Sequence, residues 1–290
     1  MAPIGRLVVI GVGLIGGSVA LSLRAASGVR HVTGVGRSRK NLDLALRLGI
    51  LDDATDDYAQ ALAKADIVLV ATPVAQNPAV FERIAPHLNS ATVVTDAGST
   101  KQDVIATARA ALGERFAQFV PGHPIAGTEQ SGAAAAFAEL FRGRKVVLAP
   151  EPETDAAAVA AVTAMWKATG ATVATMAAAR HDLIFAAVSH LPHLLAFALV
   201  EELALRPDAR EYFGFAASGF RDFTRIASSS PEMWRDIAIA NRDALLAELR
   251  RYRGQLERIE QLLGAADAPG LRSLFATARD ARNDWLAQQS

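Results

Sequence analysis

A doubly wound parallel α/β sheet followed by an all-helical domain is the fold class this sequence predicts, on three observations. The first is a glycine-rich segment, Gly11-Val12-Gly13-Leu14-Ile15-Gly16, set between the run Arg6-Leu7-Val8-Val9-Ile10 and a helical apolar pattern. The second is the alternation of short β-branched runs with helical patterns, the mark of parallel strands joined by crossover helices. The third is a change of texture near Ala178, beyond which no convincing strand pattern occurs. The expected domains are therefore 1–177, the Rossmann-type dinucleotide-binding part, and 178–290, the helical part.

In chain order, residues 6–10 read as the first strand and the segment after the glycines as the first helix. Strands are predicted at 31–36, 66–71, 92–96 and 118–121, with a helix over 40–48. Residues 145–149 and 172–175 are expected to add edge strands, separated by a helix over 156–169. Helices then run over 181–205, 212–228, 231–263 and 271–288. Pro231, after Ser229-Ser230, suits the first turn of its helix. The stretch 183–200 is the most apolar, yet Ser189, His190, Pro192 and His193 interrupt it. It reads as a buried helix, not as a membrane span.

The 290 residues carry 30 basic and 30 acidic side chains, so no net charge attracts nucleic acid or an anionic membrane. A small-molecule partner is favoured. The absence of cysteine excludes disulfides, thiolate catalysis and cysteine-ligated metal. The first strand begins close to Met1, so no signal or transit peptide is expected and the cytoplasm is the expected location.

The glycines have separate physical tasks. Gly11 permits the tight turn out of the strand, Gly13 lets backbone approach a pyrophosphate, and Gly16 lets the helix pack closely on the sheet. Leu14 and Ile15 complete the motif, and the helix N-terminus supplies N–H groups for the anion. Where an NAD-preferring fold carries a carboxylate on the second strand's end, this chain has Gly36, then Arg37-Ser38-Arg39-Lys40. A guanidinium pairs with phosphate in bidentate geometry. NADP is the expected cofactor, with NAD as the weaker alternative.

Polar groups concentrate at two strand ends, in Asp96-Ala97-Gly98-Ser99-Thr100-Lys101 and in the segment from Gly122-His123-Pro124 to Gly132. Ligands of an open α/β sheet bind beyond those ends. In the helical half, Ser189-His190-Leu191-Pro192-His193 and Arg221-Asp222-Phe223-Thr224-Arg225 set ionisable groups inside apolar helices. His190 and His193 share a helix face, but Pro192 intervenes, no third ligand is evident and His181 projects from another face, so no metal is expected.

These motifs, with Gly-Val-Gly-Leu-Ile-Gly-Gly-Ser over 11–18 and Gly-His-Pro-Ile-Ala-Gly-Thr-Glu over 122–129, resemble the prephenate dehydrogenase family, including arogenate and cyclohexadienyl dehydrogenases. The resemblance spans nearly the whole chain. It implies oxidative decarboxylation of prephenate or arogenate in tyrosine biosynthesis. By it His123 is the catalytic histidine and Ser99 shares the ring hydroxyl or orients His123. Arg225 grips a substrate carboxylate, Arg221 on the same helix face meets the side-chain carboxylate, and His193 contacts substrate. Glu129, beside Thr128, closes the site through an ion pair or by gating, and Thr72 and Pro73 pass under the nicotinamide and ribose. Asp96 is carried over with a competing role as a helix cap. A homodimer through the helical domain is implied, with no further catalytic or regulatory domain. Two rival readings are a β-hydroxyacid dehydrogenase, which needs a lysine that residues 178–290 lack, and a non-catalytic NADP-sensing regulator.

Overall fold

The computed structural model describes residues 3–288. By its internal contacts the chain forms two compact units, Met1–Arg242 and Asp243–Ser290. In the first, strands β1 (Ile4–Ile10), β2 (Val29–Val35), β3 (Asp53–Thr55), β4 (Ile67–Val70), β5 (Val93–Asp96) and β6 (Phe119–Val120) make one parallel sheet. Its order is β3-β2-β1-β4-β5-β6. Connecting helices are α1 (Leu14–Ala25), α2 (Arg39–Arg47), α3 (Tyr58–Leu62), α4 (Asn77–Ile84) and α5 (Gln102–Leu112).

The run Leu7-Val8-Val9-Ile10 lacks alternation because both its faces are covered. Leu7 and Val9 pack with Val19 and Leu23 of α1 and with Val162 and Trp166 of α6 (Ala156–Ala168). Val8 and Ile10 pack with Phe81 and Ile84 of α4 and with Val104 and Ile105 of α5. Each such side chain contributes about 1.5–3 kcal/mol by leaving water, and the two layers together hold the ends of β1 and β4 side by side.

The expected edge strands do not extend this sheet. Strands β7 (Gly122–Pro124), β8 (Lys145–Leu148) and β9 (Thr172–Thr175) form a separate sheet, with β7 antiparallel to β8 and β8 parallel to β9. Pro121 is the reason. It has no N–H to continue the ladder of β6, and the Gly122 N–H leaves the sheet to donate to Asp96 Oδ1 at 2.9 Å. The segment bearing His123 is thereby a strand rather than a loop.

Residues 181–205 also depart from a simple helix. Helix α7 (Ala178–Phe185) passes through a π turn, Ala186–His190, into α8 (Leu191–Ala204). Pro192 has no N–H for the ladder and its ring presses on the preceding turn, which widens there. The run Ala178–Ala204 is long and apolar enough to cross a membrane, but only 28% of its most apolar window is buried. The expectation of a buried helix is corrected: Leu183 and Val188 are 49% and 66% exposed. The inward stripe carries His181, Asp182, Phe185, Ala186 and His190 instead. Ionisable groups can face inward because each meets a polar partner, as described below.

The remaining helices are α9 (Ala209–Gly214), α10 (Ser218–Thr224), a 3-10 turn Arg225–Ser228, α11 (Pro231–Ala240), α12 (Arg242–Gly264) and α13 (Ala268–Ala287). Two predicted helices are each divided. Residues 215–217 break 212–228, and Asn241 breaks 231–263. The Asn241 side chain at that break donates to the Asp182 carbonyl of α7 at 2.8 Å.

Candidate active site

The chain leaving β1 turns toward β2 and the chain leaving β4 toward β5, on opposite halves of the sheet, which opens a crevice at the switch point between their adjacent ends. Gly11 lies there at φ +93°, and a Cβ would stand 2.7 Å from the Ala71 carbonyl oxygen, so only glycine fits. A Cβ on Gly16 would stand 2.4 Å from the Gly11 oxygen, which brings α1 against the turn. Gly13 differs: a Cβ there would meet nothing within 4 Å. It caps α1 without a side-chain hydrogen bond, so no side chain of its own covers the helix N-terminus. This cradle suits a pyrophosphate. Leu14 is buried and Ile15 half-buried beneath it. Asn41 braces the loop, donating to the Val12 carbonyl at 2.7 Å and accepting from the Ala133 N–H at 3.0 Å. Thr72, with its hydroxyl 3.1 Å from Asn77 Oδ1, and exposed Pro73 border the turn from the β4 side.

A cavity of about 460 Å³ adjoins the end of β2, lined by Gly36, Arg37, Arg39, Tyr58 and Arg83, with Asp56 also on its wall. Ser38 caps α2 by accepting from the Asn41 N–H, and Arg39 pairs with Asp43 at 2.9 Å. Arg37, Ser38 and Arg39 are all exposed. Arg83 comes from α4, with its guanidinium 5.6 Å from the Tyr58 ring centroid. Sequence reading missed it because nothing local ties residue 83 to the glycines.

His123 is half-buried, packed edge-on against Phe185 and His181. Its Nδ1 lies 2.8 Å from His181 Nε2, and His181 Nδ1 lies 2.8 Å from Asp182 Oδ1. Asp182 also accepts the Lys101 and Gln102 backbone N–H groups, each at 2.9 Å, at the start of α5. Burial pushes the Asp182 carboxyl up, but the His181 bond and those two N–H groups hold it below its ordinary value of 3.8. Burial lowers His181, only partly offset by Asp182. His123 falls well below 6.5, through burial first, and His181, Lys101 and His190 further oppose a positive charge there. It is a neutral imidazole at neutral pH. The expectation that His181 projects from a face other than that of His190 is corrected, since both are buried on the inward side of the helix and His181 is turned to β7. Its adjacent Asp182 was the available signal.

Lys101 is fully buried and donates to Asp96 Oδ2 at 2.5 Å and to the Gly122 carbonyl at 2.7 Å. Asp96 also accepts the Gly98 N–H at 2.7 Å. It binds the two loops behind His123 together and does not cap the next helix. Ser99 lies half-buried in the same loop, and no hydrogen bond joins it to His123 among the described residues.

Arg225 pairs with Glu129, tying the 3-10 turn to the loop after β7. Its guanidinium stays 64% exposed. Thr128 accepts the Gln130 N–H and shapes that loop. His193 donates from Nδ1 to the Ser189 carbonyl and stacks on Trp234 at 3.5 Å between centroids. Burial lowers its pKa first, the bond to the Ser189 carbonyl opposes this, and the Arg225 charge adds to the lowering. Arg221 is exposed on α10, one turn before Arg225. His190 accepts from Asn241 Nδ2 at 3.1 Å and is buried behind these residues. Among the described residues no group of three His, Cys, Asp or Glu side chains is arranged to hold a metal ion.

Comparison with known proteins extends this geometry. Residues 19–175 match the family model described as prephenate dehydrogenase, nucleotide-binding domain, and residues 177–277 match prephenate dehydrogenase, dimerization domain. A prephenate dehydrogenase of Bacillus subtilis (strain 168) is 38% identical over 284 residues, 96% of this chain and 76% of that protein. A cyclohexadienyl dehydrogenase of Zymomonas mobilis is 35% identical over 288 residues, 97% of this chain and 96% of that protein. The crystal structure of prephenate dehydrogenase from A. aeolicus, in complex with hydroxyphenyl propionate and NAD+, is similar with a TM-score of 0.91. It is 33% identical, with 97% of this chain and 98% of that one covered. Since the likeness runs through strands and helices alike, the chain belongs to the prephenate dehydrogenase family.

Proposed function

We propose that this chain oxidatively decarboxylates prephenate, arogenate or both in the cytoplasm, as a homodimer, with NADP preferred over NAD. The observation that carries the reading is His123, a neutral, half-buried imidazole with one nitrogen engaged by His181 and the other left to act on a ligand. The bound dinucleotide would supply the hydride acceptor, held by Gly11, Gly13, Gly16 and the N-terminus of α1, bordered by Thr72 and Pro73.

His123 takes the proton of the ring hydroxyl as the geminal hydrogen departs as hydride, so the O–H electron pair becomes a carbonyl. The ring carboxylate bond then breaks to release CO₂, and its electron pair enters the ring and makes it aromatic. The oxygen, now a phenolate, recovers a proton. Ser99 orients the hydroxyl. Arg225 exchanges Glu129 for a substrate carboxylate, a charge-assisted bidentate contact, with His193 beside it and Arg221 and Thr128 at the rim. NADP preference rests on Gly36, which places no carboxylate at the ribose, and on Arg37, Arg39 and Arg83 around the adjoining cavity. The homodimer is supported by the dimerization-domain match over 177–277 and by exposed Leu183, Val188, Phe215 and Ile239 within it.

The test is absorbance at 340 nm with each of the two substrates against each of the two dinucleotides. Reduction with at least one substrate, faster with NADP, is expected. Tight dinucleotide binding without reduction for either substrate would overturn the enzymatic reading.

A further inference from the structure

The hydrogen-bond chain behind His123 has a direction that its chemistry decides. Asp182 sits at the first turn of α5 and accepts two backbone N–H groups there. A carboxylate so placed is ionised and has no proton to give. The third contact, to His181 Nδ1 at 2.8 Å, must therefore be donated by the imidazole. In neutral His181 the proton on Nδ1 leaves Nε2 as a lone pair. That lone pair faces His123 Nδ1 at 2.8 Å, so His123 must donate from Nδ1. Only Nε2 of His123 is then free to accept a proton.

We propose that His181 and Asp182 are positioning residues that set the tautomer of His123, holding its proton on Nδ1 and its basic lone pair on Nε2. The inference rests on the reading of His123 as the proton acceptor and adds the device that makes it one. When Nε2 takes the substrate proton, the imidazolium formed keeps its Nδ1–H bond to His181, and the positive charge lies along a line that ends on Asp182. The other charged or titratable groups facing this line are Lys101 and Asp96 behind the β7 strand and His190 from the π turn. His181 is itself held neutral by burial. Were it protonated, its Nε2–H would point at His123 Nδ1 and reverse the tautomer, so activity is lost on acidification in part through His181.

Two measurements test this. Two-bond ¹H–¹⁵N correlation spectra of the full-length protein at neutral pH report the tautomer directly, with the His123 signal assigned by its loss in His123→Asn. A protonated Nδ1 is expected, and a protonated Nε2 overturns the proposal. Asp182→Asn turns its amide N–H₂ either toward His181 and the Lys101 N–H or toward the Gln102 N–H, and one backbone N–H is unpaired in both cases. In the first case the chain reverses and the proton moves to Nε2 of His123. The expected effect is a fall in kcat of about 10²–10⁴, the range for replacing the carboxylate that orients a histidine base, with KM changed only a few-fold. His181→Gln retains an amide oxygen that can accept from His123 Nδ1, and is expected to keep more activity than His181→Leu. If Asp182→Asn fails to fold, the comparison of the two His181 variants and the spectrum of the parent protein still decide. Equal kcat and equal pH profiles for parent, His181→Leu and His181→Gln overturn the proposal. Normal turnover by His123→Asn sinks instead the reading of His123 as the base, a separate failure.

Discussion

Replacing Lys101 by methionine tests how the loops behind His123 are held. Methionine keeps most of the apolar stem and removes the ammonium. That ammonium is fully buried, donating to Asp96 Oδ2 at 2.5 Å and to the Gly122 carbonyl at 2.7 Å. In the variant, Asp96 keeps the Gly98 and Gly122 N–H donors, at 2.7 and 2.9 Å, but loses its cation. The Gly122 carbonyl loses this partner as well. Breaking a buried pair from one side costs about 3–5 kcal/mol, mostly the desolvation of the charge left behind. For a domain this large each kcal/mol lowers Tm by about 2–4 °C, so a loss of roughly 6–20 °C is expected. Thermal melts by circular dichroism at one fixed protein concentration measure it, since association makes Tm depend on concentration. Because Gly122 directly precedes His123, kcat well below the melt should fall too. Asp96→Asn combined with Lys101→Met should recover part of the loss, because removing both charges leaves none unpaired. A Lys101→Met protein that melts within about 2 °C of the parent refutes the reasoning.

Gly36→Asp with Arg37→Ala should shift the kcat/KM ratio from NADP toward NAD by about 10–100-fold, the value of one charge-assisted bond of about 1.5–3 kcal/mol. The backbone tolerates it, since a Cβ on Gly36 would meet only Leu42 at 3.4 Å. An unchanged ratio would remove Arg37 from the phosphate site. Arg225→Ala should raise KM for the ring substrate roughly 10–100-fold with a smaller change in kcat, while Glu129→Gln, which frees Arg225, should lower KM. Steady-state kinetics decide, and an unchanged KM in Arg225→Ala means another cation holds the carboxylate. Burial lowers His190 from 6.5 to about 4. Between those values the unfolded chain binds a proton that the fold does not, so stability rises with pH and acidification costs about 1.4 kcal/mol per pH unit. The loss is complete below pH 4 for this group, and His123, His181 and His193 are lowered in the same direction. A Tm flat across the whole interval from pH 6.5 to 4 would refute this linkage.

From the sequence came the strand-turn-helix at Gly11, Gly13 and Gly16, the apolar strand at residues 6–10 and the helical second half. Those features depend on short-range spacing, on which residues fit one turn or one strand face. The candidate positions His123, Glu129, Arg225 and His193 could be singled out through their motifs. Their partners could not. His123 meets His181 across 58 residues, Glu129 meets Arg225 across 96, and Arg83 reaches the Arg37 cavity from a different helix. The tertiary structure alone decided these pairings, along with the departure of β7, β8 and β9 from the main sheet and the inward turn of the ionisable stripe on α7. The physical reason is that a helical pattern shows which residues share a face but not which face is buried. A polar group can lie inward only where a distant donor or acceptor answers it, and only the folded chain brings that partner within hydrogen-bond reach.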